Sequence, residues 1–237
     1  MIQIRKLEHT DLDDIVSICK DLWDDTDYLP SIFHEWVDDK GLFAGAVDSS
    51  TGRVIGVDKY TILSDHSGWL EGLRVHKDYR GQGISKKLAE YTLNMAKKDL
   101  LDGKIINIGF GTHITSVESI NLMKKYDFNL KQQYLLLTKE YKNIPQDLSL
   151  EDYQVSPWHP TFEELSNNKY FNTRSNIIPL TFVFQQFTEE LYRKLADEGC
   201  FLSINGHNGI YKFKGEPHFI ALEDSFESID TFMNYIL

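Results

Sequence analysis

The stretch DYRGQGISKKL, residues 78–88, constrains the chain more than any other. It places an arginine and two glycines between an apolar run, GWLEGLRVH at 68–76, and the residues Ile84, Leu88, Tyr91 and Met95 at helical spacing. That order predicts a strand, a tight turn and an amphipathic helix ending before Gly103. Glycines at such a turn let backbone N–H groups approach an anion, and the start of the helix adds partial positive charge. Two common phosphate-binding patterns do not fit. A dinucleotide fingerprint needs a third glycine three residues after Gly83, where Lys86 stands, and the Gly-Lys-Ser/Thr of a nucleotide P-loop is missing.

The neighbouring segments predict mixed α/β structure. IQIRKL at 2–7 alternates as a strand does. Thr10 with Asp13 reads as a capping pair for a helix whose apolar face carries Leu12, Ile15, Val16, Cys19, Leu22 and Trp23. An acidic turn at 24–27 follows, and Pro30 suits the first turn of a second helix reaching about Asp39. Strands are expected at 42–48, 53–63, 68–76, 104–112 and 129–141, with a helix over 115–126. Pro145 to Pro160 reads as a boundary. Beyond it come a strand at 180–187, a helix opened by Thr188 and closed by Gly199, and short strands near 200–204, 209–213 and 218–222. A last helix is capped by the Asp224/Glu227 pair. The hairpin-like early strands imply a mainly antiparallel sheet.

Charge and composition narrow the functions. Thirty-six acidic against twenty-five basic residues give a net charge of -11, which argues against nucleic-acid or anionic-membrane binding, since either would need a basic face. A cationic small molecule suits that balance better, although solubility alone also explains an acidic surface. No apolar run is long enough to cross a bilayer, and MIQIRKLEHT lacks the features of a signal peptide. Cys19 and Cys200 sit in apolar contexts as buried free thiols do, so a cytoplasmic protein without disulfides is expected. His34-Glu35-Trp36-Val37-Asp38 falls short of the zinc-protease pattern, and no third ligand is evident, so no metal is expected. A serine-hydrolase elbow is absent too.

The turn Arg80-Gly81-Gln82-Gly83-Ile84-Ser85, after Leu-Arg-Val-His, resembles the pyrophosphate-binding turn of the GNAT superfamily of acyl-CoA N-acyltransferases. The order of elements over about residues 1–141 is similar as well. The resemblance implies acetyl-CoA as cofactor and a GNAT fold, α/β in the α+β sense: a mixed, mainly antiparallel, splayed central sheet flanked by helices. Residues 1–145 would form that domain, and 146–237 a C-terminal α/β extension over the acceptor site. A narrower likeness rests on Asp27-Tyr28-Leu29-Pro30-Ser31-Ile32-Phe33-His34-Glu35-Trp36 together with Glu71-Gly72-Leu73-Arg74-Val75 and Lys124-Lys125-Tyr126. These segments look like the histidine N-acetyltransferase group.

The resemblance assigns residues to roles. Arg80 through Ser85, namely Arg80, Gly81, Gln82, Gly83, Ile84 and Ser85, would hold the pyrophosphate. Leu73, Arg74 and Val75 would pair by backbone with the pantetheine arm, and Ser119 lies among the cofactor contacts. Glu71 is the candidate base. Strand alternation puts it on a face with Trp69, Leu73 and Val75, where burial would raise its pKa; binding the acceptor amine is the other reading. Aligning the end of the family's acid-bearing helix on Asp127-Phe128 puts Met123 at the tyrosine position. Methionine cannot donate a proton, which leaves Tyr126 as the substitute acid. Asp27, Tyr28, His34 and Trp36 would bind a small amino acid such as histidine; the same residues also read as core and a solvated turn. A protein or peptide N-acetyltransferase and a non-catalytic acyl-CoA-binding module are the rival functions.

Overall fold

The computed structural model describes all residues except 21, 23–25, 135–152, 181, 213–217, 224 and 236–237, and it divides into two compact units, Met1–Phe128 and Asn129–Leu237.

In the first unit β1 (Ile2–Lys6) leads into a single 3-10 turn at His9–Asp11 and then α1 (Leu12–Cys19). The cap differs from the expected Thr10/Asp13 pair: Glu8 and Asp11 form a reciprocal capping box one turn earlier. Asp11 is drawn to that position because Arg5 of β1 donates to both its carboxylate oxygens at 2.7 Å. Ile15, Ile18 and Cys19 are buried, whereas Val16, expected on the apolar face, is 50% exposed. Trp23 lies outside the described residues. α2 (Leu29–Asp38) has Pro30 in its first turn and buries Leu29, Phe33, Trp36 and Val37.

Then come β2 (Gly41–Asp48), β3 (Val54–Ile62), β4 (Ser67–Val75), α3 (Ile84–Leu101), β5 (Asn107–Phe110) and α4 (Val117–Lys124). The sheet order is β1-β2-β3-β4-β5, antiparallel except between β4 and β5. β3 is buried for most of its length because side chains pack on both faces of the sheet. Leu7, Ile15, Leu29, Phe33, Trp36, Phe43 and Val57 form the core under α1 and α2. Ile55, Leu70, Ile84, Leu88, Leu93, Ala96 and Met123 form the other, under α3. Tyr91, expected on the buried stripe of α3, is 39% exposed. β5 is shorter than the expected 104–112. The expected strand at 129–141 has no regular structure up to residue 134, and the rest of it lies outside the described residues.

The second unit contains β6 (Val155–Pro157), α5 (Phe162–Ser166), α6 (Lys169–Asn172), β7 (Ile177–Leu180), β8 (Val183–Gln186), α7 (Glu189–Asp197), β9 (Phe201–Ile204), β10 (His207–Lys212), β11 (His218–Ala221) and α8 (Phe226–Tyr235). Its sheet runs β11-β10-β9-β6. The single strand expected at 180–187 is instead a hairpin in which Leu180 pairs with Val183. Thr188 caps α7 as expected, accepting from the Leu191 N–H, and Gly199 follows the helix at φ +68°. Asp224, half of the expected last cap, lies outside the described residues. β6, α5 and α6 were not legible in the sequence, being short and without sustained periodicity.

Candidate active site

β4 runs into His76, a 3-10 turn at Lys77–Tyr79, and Arg80, whose Nε donates to the Val75 carbonyl at 3.2 Å. Gly81 and Gly83 have φ of +76° and +74°, and a Cβ on either would meet no atom within 4 Å. Glycine is needed here for backbone handedness, since an L residue at such φ is strained. The open space leaves the turn clear for a ligand. Ile84, 1% exposed, anchors the first turn of α3, while Gln82 and Ser85 stand in solvent. Gly83 is the N-cap and offers no side-chain cap, so the leading N–H groups of α3 face outward at its positive end.

Beside this turn the sheet opens. The β4–β5 ladder ends at Leu70↔Phe110, and in the described ladders residues from Glu71 onward pair with β3 alone. The β3–β4 register also shifts here: Lys59 faces Glu71 and Val57 faces Arg74, so Gly72 and Leu73 oppose the single residue Asp58. This is a β-bulge, with Gly72 at φ +78°. A Cβ on Gly72 would lie 2.6 Å from the Trp36 ring. The bulge overturns the expected alternation. Leu73 and Val75 join the α3-side core, whereas Glu71 and Arg74 turn toward the α2 side, because the extra residue resets the period of two.

Two charge groups meet on that side. Arg74 donates from Nε to Asp27 Oδ2 at 2.6 Å and from Nη2 to Asp27 Oδ1 at 2.9 Å, with side chains 5% and 1% exposed. The guanidinium lies 5.1 Å from the Tyr28 ring centroid, and Tyr28 meets Trp36 edge-on at 6.2 Å. Desolvation opposes ionisation of Asp27, but Arg74 and the Leu29 N–H more than offset it and hold its pKa below the usual range. Glu71 Oε1 accepts from the Thr61 hydroxyl at 2.6 Å and lies 3.8 Å from Lys59 Nζ. Burial pushes the Glu71 pKa up, against the opposing pull of Lys59 and Thr61.

The other sequence candidates fall differently. Asp27, Tyr28 and Trp36 gather around Gly72 and Arg74. His34 does not join them: it is exposed on the outer face of α2, its Nδ1 2.8 Å from Nδ1 of His9. The Tyr126 hydroxyl donates to Glu90 of α3 at 2.8 Å, and no contact links it to the Glu71 group among the described residues. Ser119 is half-buried on α4, and Met123 is buried. Lys59, Thr61 and Asp39 were missed by sequence reasoning. Their one signal is Asp58-Lys59 interrupting an otherwise apolar strand, which marks a polar pair forced into the interior.

The arrangement joins a turn of outward-facing main-chain N–H groups, a strand segment outside the β5 ladder and a buried carboxylate with a raised pKa. It suits an extended anionic cofactor and proton acceptance from an amine. The comparisons agree with that class of protein. Residues 7–128, about half of the chain, match the acetyltransferase (GNAT) family. The chain belongs to this family, whose acetyl donor is acetyl-CoA. The histidine N-acetyltransferase of Xenopus tropicalis is 26% identical over 140 residues, which cover 59% of this chain and 42% of that protein. The enzyme of the same name from Oreochromis niloticus is 24% identical over 149 residues, covering 62% and 43%. The chain thus spans less than half the length of these curated relatives. An acetyltransferase structure from Trypanosoma brucei superposes with a TM-score of 0.48 at 17% identity, covering 59% of this chain and 100% of its own. The Escherichia coli ribosomal-protein-S18-alanine N-acetyltransferase gives 0.44 at 19%, covering 56% and 80%. No helix among the described residues is long and apolar enough to cross a membrane.

Proposed function

We propose that the protein is an acetyl-CoA-dependent N-acetyltransferase acting by direct transfer on the α-amine of a small amino acid, histidine or a near relative. The observation that carries this reading is the succession, along β4 and the turn that follows it, of Glu71, the 73–75 segment beyond the β5 ladder and the open glycine turn. Acetyl-CoA supplies an activated acetyl thioester. Backbone N–H groups of Gly81 to Ser85, with Arg80, hold its pyrophosphate, and the main chain of Leu73 to Val75 aligns its arm; Ser119 joins these contacts. Glu71 takes the proton that an amino-acid ammonium must lose before its nitrogen can attack. A carboxylate whose pKa is raised by burial is a better acceptor for that proton than an exposed one.

Asp27, Tyr28 and Trp36 shape the acceptor pocket around Gly72, with aromatic faces suited to an imidazole-like ring. His34, on the outer face of the same helix and bonded to His9, takes no part in that pocket. Tyr126 is proposed as proton donor to the leaving thiolate, its hydroxyl released from Glu90. The likeness to the histidine N-acetyltransferases supports the acceptor class. The transferase domain of this reading is carried by the unit Met1–Phe128, short of the expected bound at 145, and the extension belongs to the unit Asn129–Leu237. Two buried free cysteines support a cytoplasmic location.

The test is free-thiol release from acetyl-CoA by the full chain across the twenty amino acids, simple polyamines and short peptides. Turnover confined to histidine and close relatives is the expected result. Turnover with peptides alone would replace the acceptor class. Tight acetyl-CoA binding with no turnover would overturn the transferase reading in favour of a binding module, the reading that the Tyr126–Glu90 bond favours.

A further inference from the structure

Lys59 has no part in the transfer scheme, yet its side chain is only 2% exposed. A cation at that depth needs partners to replace its lost hydration. Lys59 finds several. Nζ donates to Asp39 Oδ2 at 2.9 Å and to the Thr61 hydroxyl oxygen, and it stands 5.1 Å from the Trp36 ring centroid. An ammonium carries donors only, so the Thr61 oxygen accepts from it and the one Thr61 proton is directed onward. That proton goes to Glu71 Oε1, 2.6 Å from the Thr61 oxygen. The bonds therefore have one polarity, from ammonium to hydroxyl to carboxylate.

We infer that Lys59 and Thr61 form a positioning relay that holds Glu71 ionised, fixes Oε1 as the bonded oxygen and leaves Oε2 to meet the acceptor ammonium. The inference rests on the reading of Glu71 as the group that faces the amine. The charged and titratable groups around Glu71 come from every element packed there: Lys59 and Asp58 on β3, Asp39 after α2, Tyr28 before it, and Arg74 on β4. Burial and Asp39 push the Glu71 carboxyl toward its protonated form, whereas Lys59, Thr61 and Arg74 oppose that. Without the relay the pull of Lys59 and Thr61 is gone, and burial and Asp39 push the carboxyl further toward its protonated form, in which it cannot accept another proton. Neither Lys59 nor Thr61 touches the reacting atoms.

The experiment is a direct titration of Glu71 in the full-length chain, with glutamate labelled at the side-chain carboxyl carbon and the resonance assigned by its loss in Glu71→Gln. In Lys59→Met and in Thr61→Val the midpoint should rise by about one pH unit or more. Thr61→Ser keeps the hydroxyl and should keep the wild-type midpoint. Unchanged midpoints in Lys59→Met and Thr61→Val overturn the relay. If near-UV circular dichroism shows Lys59→Met unfolded, the Thr61 pair decides alone, and equal midpoints for Val and Ser overturn it. The titration needs no acceptor, so it separates two failures. Full turnover in Glu71→Gln sinks the base reading whatever the midpoints, and unmoved midpoints sink the relay whatever the turnover.

Discussion

The turn at 80–85 and the cluster around Glu71 lie on the same strand–helix connection but are built on opposite principles. The turn is exposed, made of main chain, and its two glycines touch nothing that a methyl group would disturb. The cluster is made of side chains from β3, β4 and both ends of α2, and each charge in it is held by another. A site of backbone donors in solvent works one residue at a time. A desolvated charge cluster works as a unit, because any member left alone is a buried unpaired ion. Changes in the cluster should therefore reach stability and pH response, and changes in the turn should stay with donor binding.

Glu71→Gln gives the largest effect: turnover should fall by about 10²- to 10⁴-fold, the range for loss of a general base, with acetyl-CoA affinity kept. Thiol-release kinetics beside calorimetric binding measure the two; lost affinity would mean that cluster and turn are not separable. Next, Arg74→Ala strands the Asp27 carboxylate, 1% exposed, and should destabilise the fold by about 3–5 kcal/mol in urea denaturation. A loss no larger than that of a surface pair would break the contrast.

Asp58 sharpens the comparison through pH. Burial pushes its pKa up to about 7, and the Thr92 hydroxyl donating at 2.5 Å only partly opposes this. Folded protein then keeps a proton that the unfolded chain has released. The stability from this group is full below about pH 4 and is lost as pH rises toward 7, with a slope of about 1.4 kcal/mol per pH unit. Asp58→Asn should remove that slope, as chemical denaturation at pH 4.5, 5.5 and 6.5 would show. The smallest effect belongs to Gly83→Ala. Left-handed backbone there makes alanine unfavourable by about 1 kcal/mol. The KM for acetyl-CoA should rise, and the Glu71 titration should not move.

Much of the first unit was legible because its signals are local. Pro30 in the first turn of α2, the strands at 42–48 and 53–63, and the glycine turn before α3 are set by residues close in sequence. The readings that failed depended on distant partners. Arg5 recruits Asp11 and moves the cap from Thr10 to Glu8. Strand alternation placed Glu71 with Leu73 and Val75, and the Gly72 bulge sends it to the opposite face. Lys59 went unread, half of the Asp58-Lys59 polar pair in an apolar strand, and nothing near it in sequence points to Asp39.

The sequence alone determined the glycine turn and the family, because backbone handedness and helix polarity depend on a few adjacent residues. It also determined that a carboxylate would stand on β4 just ahead of that turn. Only the tertiary structure decided which way that carboxylate faces and what surrounds it. Facing is set by the β3–β4 register and by the Trp36 ring against Gly72, and the surroundings are set by charges that become neighbours once water has been removed from between them.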